Sequence, residues 1–151
     1  MDRIASFEVD HDKIVKGMYI SRVDGDIVTY DLRTRVPNCG DYMSNITMHS
    51  VEHMFATYVR NGDIGKSVIY FGPMGCRTGF YLLVRDVEPA EVAKEVKTVL
   101  KKIIEHEGEM FGASRRECGN YRELDLECAK KEAREYLTAL ESREIDFKYP
   151  D

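Results

Sequence analysis

No stretch of this sequence approaches the roughly 18 consecutive apolar residues of a membrane-spanning helix, so it offers no candidate span. It has no basic surplus either. Against 27 Asp and Glu stand 22 Lys and Arg, a formal net charge of −5, and the cations are dispersed rather than striped along one face. That pattern argues against nucleic acid as the main partner. None of the four cysteines, Cys39, Cys76, Cys118 and Cys128, forms a C-x-x-C pair, which argues against a structural zinc knuckle. Four thiols would make an even disulfide set in a secreted protein, but the opening residues Met1 to Glu8 lack the long apolar core of a signal peptide. A cytoplasmic protein is therefore expected, its thiols buried, catalytic or metal-bound. Internal repeats, low-complexity tracts and Pro/Ser-rich linkers are absent too. A chain of 151 residues with 43% hydrophobic and 32% charged side chains suits one globular domain over residues 1–151.

What is present is strong local patterning. Met18–Val23 and Ile27–Leu32 read as two strands joined near Asp24-Gly25, a hairpin signal. Ser44 to Arg60 reads as a helix, with Val51, Met54, Phe55 and Tyr58 recurring on one face and Asn61-Gly62 as a left-handed stop. Ser67–Phe71 and Phe80–Arg85 read as strands flanking a glycine-rich loop, Gly72 to Gly79. A second helix starts near Pro89 and ends before Gly108, and a third runs from Leu124 to Leu140. Hairpins with segregated helices predict an α+β domain, an antiparallel sheet covered by helices.

The segment His49-Ser50-Val51-Glu52-His53 is the most informative in the chain. Histidines four apart on a helix lie ~40° apart around its axis and about one turn along it, so both imidazoles reach one cation. Glu52 flanks the same face, where a general base belongs. The order H-x-x-E-H is that of the inverted zinc peptidases. The bland alternative is a solvated polar face. A catalytic site needs a third protein ligand and an open position. Cys118 leads because it lies in an irregular segment beside Gly119, where the backbone can bend towards a site built elsewhere. A thiolate there suits Fe(II), Zn or Co(II) over Mg or Ca. In a peptidase, Glu105, Glu107 or Glu109 would compete for that place. A purely structural metal module would need a fourth protein ligand, and none presents itself. Cys128 reads as a small core thiol beside the third helix's apolar stripe, and Cys39 has no identifiable partner. Cys76 sits between glycines in a loop joining two strands, either a functional thiol on a rigid frame or simply part of a tight turn.

Several ordered segments resemble the S-ribosylhomocysteine lyase (LuxS) family: Ser6-Phe7-Glu8-Val9-Asp10-His11, Tyr30-Asp31-Leu32-Arg33, His49 through Ala56, Gly72 through Tyr81, and Glu117-Cys118-Gly119-Asn120-Tyr121. Together they span the chain to about Leu140. The resemblance implies an enzyme that converts S-ribosylhomocysteine to homocysteine and 4,5-dihydroxy-2,3-pentanedione, the autoinducer-2 precursor. It implies a homodimer with active sites at the subunit interface and one divalent metal per subunit, natively Fe(II), with Zn or Co possible, held by His49, His53 and Cys118. It gives Cys76 and Glu52 acid–base roles and puts Ser6, His11 and Arg33 near the substrate, Arg33 as a clamp for a carboxylate or sugar hydroxyls. One departure stands out: Tyr70-Phe71-Gly72 occupies the place of an Asp-Ile-Ser usual in the family.

Overall fold

In the computed structural model, which describes residues 1–151, a four-residue helix α1 (Ala5–Glu8) precedes the first hairpin; its brevity left it no periodicity to read. β1 (Gly17–Asp24) pairs with β2 (Ile27–Arg33) across the turn Gly25-Asp26. β3 (Val68–Pro73) and β4 (Gly79–Arg85) complete an antiparallel sheet in the order β1-β2-β4-β3. Three long helices, α2 (Asn45–Arg60), α3 (Pro89–Glu105) and α4 (Leu126–Glu141), pack together over one face of it. The α+β architecture expected from the patterning is the one found.

Alternation along the strands explains the core. Tyr30 and Leu32 of β2 and Phe80, Leu82 and Val84 of β4 are buried beneath the helices. Phe55 of α2 stacks on Phe71 of β3 at 4.3 Å, and Phe71 stacks on Phe80 at 5.1 Å. Each fully buried aromatic of this kind contributes about 1.5–3 kcal/mol through the area it removes from water. The roll of α2 about its axis is set here, because Val51, Met54, Phe55 and Val59 all sink into this core.

Helix ends refine the sequence reading. Ser44 caps α2 by accepting the Thr47 N–H at 3.1 Å, an interaction typically worth about 1 kcal/mol. The far end is not the expected left-handed stop: Asn61 has φ −100°, and the helix closes because both its backbone N–H and its side-chain amide donate to the Thr57 carbonyl. The third long helix starts two residues later than Leu124, because Asp125 caps it through the N–H groups of Glu127 and Cys128. Cys128 itself is only half-buried, beside the core rather than within it.

The opposite face of the sheet carries an unexpected layer. Asp31 and Arg33 are buried there, at 1% and 2% exposure, and the C-terminal tail lies alongside. Ile20 donates its N–H to the Phe147 carbonyl at 2.8 Å, and Tyr149 stacks on Tyr19 at 4.8 Å. Neither contact has a periodic signature in the sequence.

The Tyr70-Phe71-Gly72 departure has a local physical logic. Phe71 fills the aromatic stack, while Tyr70 and Gly72 lie two apart on the other face of β3. A Cβ placed on Gly72 would meet Cζ of Tyr70 at 2.6 Å and its Cε2 at 2.8 Å, so the tyrosine ring occupies the space that a serine at 72 would need. The two replacements are sterically coupled. Gly72→Ser alone should therefore destabilise the protein by about 1 kcal/mol as the ring is displaced, and Tyr70→Asp in the same chain should remove that penalty. A double-mutant cycle by urea denaturation measures the coupling; additive effects would show that the two positions are independent.

Candidate metal centre

α2 presents His49 and His53 one turn apart on the side facing away from its core residues, their rings 4.6 Å apart. Neither imidazole is free to rotate. His49 Nδ1 lies 2.8 Å from the Glu123 carbonyl and His53 Nδ1 2.9 Å from that of Phe111. A carbonyl oxygen only accepts, so both Nδ1 atoms carry the proton and both Nε2 lone pairs are left for a cation, as is usual for histidines that hold a metal while a backbone carbonyl fixes the ring. Cys118 Sγ lies 3.3 Å from His49 Nε2 and accepts the Asn120 N–H at 3.4 Å. The ligating atoms of His49, His53 and Cys118 all lie within 4.8 Å of one another. Bonds of ~2.0–2.3 Å at tetrahedral angles place neighbouring ligand atoms about 3.3–3.6 Å apart; the Cys118–His49 pair already stands at that spacing, and a small closure by the third ligand atom completes a site for a divalent cation. Two imidazoles and a thiolate favour Fe, Zn or Co over Mg or Ca. Glu105, Glu107 and Glu109 are exposed and lie outside the cluster. Glu52 is half-buried on the same helix, one turn on from His49.

The irregular segment after α3 is pinned at several points. Tyr58 donates its hydroxyl to His106 Nδ1 at 2.6 Å, and His106 Nε2 donates to the Glu109 carbonyl at 2.8 Å. Gly112 packs against His53: its φ of +65° is left-handed, and a Cβ there would stand 3.0 Å from His53 Nδ1. Ser50, fully buried beside His49, accepts the Asp125 N–H at 2.8 Å and ties the other end of the segment to α2.

Cys76 occupies a different neighbourhood. It is exposed, at the mouth of a pocket of about 170 Å³ lined by His11, Pro37, Asn38, Tyr42, Cys76 and Thr78. His11 Nδ1 donates to the Val9 carbonyl at 2.8 Å, leaving its Nε2 unengaged by that bond. Ser6, half-buried in α1, does not line this pocket, and neither do Glu52, His49, His53 or Cys118. The arginine neighbouring Cys76 in sequence, Arg77, has φ 62° and stands over the Tyr42 ring. The cation that approaches Cys76 is Arg33, through Thr78: Nη1 donates to Thr78 Oγ1 at 2.8 Å, and that oxygen lies 3.0 Å from Cys76 Sγ. Arg33 is neither a surface charge nor a free clamp in this geometry. Its side chain is 3% exposed, and Nε and Nη2 are engaged by Asp31 at 3.0 and 2.6 Å. Burial works against the guanidinium charge, but the hydrogen bonds and charge of Asp31 outweigh it and raise the Arg33 pKa further. Thr78 and Asp31 were not singled out as functional from the sequence, although both sit inside segments that were.

The profile of the S-ribosylhomocysteinase (LuxS) family matches residues 4–146. The chain belongs to this family. The LuxS match is supported by full-length relatives. An S-ribosylhomocysteine lyase of Borreliella burgdorferi (strain ZS7) is 40% identical over 157 residues, covering 99% of this chain and 100% of that protein. S-ribosylhomocysteine lyases of Finegoldia magna and Clostridium beijerinckii are each 40% identical, with 100% of both chains covered.

Two substitutions and one control test the centre. Cys118→Ala should lose most bound metal, while Cys128→Ala keeps it. Gly112→Ala, which crowds the His53 ring at Nδ1, should weaken metal binding roughly 10- to 100-fold. Metal content and competitive chelation measure both; metal retained by Cys118→Ala would exclude this ligand set.

Proposed function

We propose that this LuxS-family protein is an S-ribosylhomocysteine lyase, releasing homocysteine and 4,5-dihydroxy-2,3-pentanedione. The observation that carries the reading is the meeting of His49, His53 and Cys118, with both histidine Nδ1 atoms already committed to carbonyl oxygens. A divalent cation held there, natively Fe(II), supplies Lewis-acid polarisation of the substrate's carbonyl and hydroxyl oxygens. The protein's side chains move the protons. Cys76 takes the C2 proton of the opened ribose and returns it to C1, which shifts the carbonyl from C1 to C2. A second round shifts it to C3. Glu52 takes the C4 proton, the C5–S bond breaks, homocysteine leaves, and the resulting enol tautomerises to the dione. His11 shares the Cys76 pocket and faces the substrate there. Ser6 contributes from α1, and Arg33 acts from beneath through Thr78.

The working form is a homodimer with its sites at the interface. In one chain the Cys76 pocket contains none of His49, His53 and Cys118, which favours a substrate site formed where two surfaces meet. Exposed apolar residues support this: Phe7 is 63% exposed and Ile4 56%, on α1 and its N-cap, and Tyr70 is 54% exposed on β3. A two-fold contact is the commonest way to cover such surface. The enzyme is placed in the cytoplasm, where free thiols persist.

Cys76→Ala and Glu52→Gln should both keep metal and lose roughly 100- to 10,000-fold in rate, the usual effect of removing a positioned acid–base group. Carbon-13 NMR with label in the ribose separates them. Cys76→Ala should leave the aldose largely unchanged, whereas Glu52→Gln should accumulate a ketone. Rapid homocysteine release by Cys76→Ala would overturn its role. Sedimentation at assay concentration should give a dimer; a fully active monomer would contradict the shared site.

A further inference from the structure

The buried Asp31–Arg33 pair has a third partner. Tyr149, three residues beyond the end of the family match, donates its hydroxyl to Asp31 Oδ2 at 2.7 Å. The same oxygen accepts Arg33 Nη2 at 2.6 Å, while Oδ1 accepts Arg33 Nε at 3.0 Å. From Arg33 the chain continues to Thr78 Oγ1 at 2.8 Å and from there to Cys76 Sγ at 3.0 Å. The directions are consistent throughout. Thr78 Oγ1 accepts from the guanidinium, so its own proton is free to point at the sulfur. Burial, then the charge and hydrogen bond of Asp31, raise the Tyr149 pKa well above the ordinary tyrosine value, which keeps the phenol protonated as a donor. Stacking of its ring on Tyr19 at 4.8 Å and the backbone link from Ile20 to Phe147 hold the tail in place independently of the hydroxyl.

We propose that Tyr149 is a positioning residue for Cys76: its hydroxyl fixes the Asp31 carboxylate, which fixes Arg33, which aims the Thr78 hydroxyl at the reacting sulfur. A bidentate arginine–carboxylate pair has a defined geometry, and hydrogen bonds in a buried network reinforce one another, so loss of the outermost donor propagates inward. A donor aimed at sulfur stabilises the negative charge it carries when it holds no proton. The C-terminal tail is thus part of the proton-transfer apparatus rather than only a cover for the sheet. This rests on the proposed role of Cys76 in proton transfer.

Tyr149→Phe removes the hydroxyl and keeps the stacking ring. It should lower kcat about three- to tenfold, the scale of one charge-assisted hydrogen bond acting through a network, and leave KM within about twofold. Iodoacetamide labelling at neutral pH, read by peptide mass spectrometry, gives a test independent of turnover. Labelling of Cys76 should slow by a similar factor, while the exposed Cys39 in the same molecule serves as the internal reference. In a Thr78→Val background, adding Tyr149→Phe should slow labelling no further. Wild-type kcat and Cys76 labelling in Tyr149→Phe would overturn the proposal, as would equal slowing at Cys76 and Cys39 or a full additional effect on top of Thr78→Val. An active Cys76→Ala enzyme would instead defeat the acid–base reading, while the labelling comparison would still decide whether Tyr149 governs the thiol.

Discussion

Everything at the candidate site depends on the fixed roll of α2. One side of that helix is locked into the aromatic core through Phe55 and its stack with Phe71 and Phe80. The other side must then present His49 and His53 together, because residues four apart share a helix face. A rotation that moved the histidines would pull Val51, Met54 and Phe55 out of the core, and large buried side chains typically cost about 2–5 kcal/mol each to lose. Core packing therefore determines where the imidazoles stand. The carbonyls of Phe111 and Glu123 determine which nitrogen each one offers.

The segment between α3 and α4 supplies the remaining parts although it contains no helix or strand. It contributes the Cys118 sulfur and both carbonyls that orient the histidines. It stays in register because its ends and middle are tethered: to Tyr58 through His106, to His53 through the close approach of Gly112, and to Ser50 through Asp125. Ser114 and Glu117 close a local turn just before Cys118, the hydroxyl donating to the carboxylate at 2.6 Å. Cys118, on irregular backbone, is thus held by side-chain contacts rather than by a ladder.

Most of the architecture was legible because it is periodic. The 3.6-residue recurrence of Val51, Met54 and Phe55, and the alternation in the strands, report burial directly, while Tyr58 on the same stripe is half-buried. The two histidines were legible for the same reason, being an i, i+4 pair on one such helix. What escaped was what no period encodes. Buried Asp31 and Arg33 look like ordinary polar alternation until the C-terminal tail covers them, and the tail's own contacts through Phe147 and Tyr149 link positions more than a hundred residues apart. Arg77 is adjacent to Cys76 in sequence, and adjacency alone does not say where its side chain points. Arg77 stands over the Tyr42 ring, and it is Arg33 that reaches the thiol's neighbour, from another strand. The Asn61-Gly62 stop failed because a side-chain amide bond to the Thr57 carbonyl ended the helix without any left-handed residue.

If a cation held by His49, His53 and Cys118 makes this fold a carbon–sulfur lyase, purified protein incubated with S-ribosylhomocysteine should show it in the free thiol read before chelation, after chelation, and after a divalent ion is restored. Homocysteine release should disappear when the metal is stripped and return with about one ion per chain, as three protein ligands and one open position require. Undiminished thiol release from protein shown to be free of metal would contradict it.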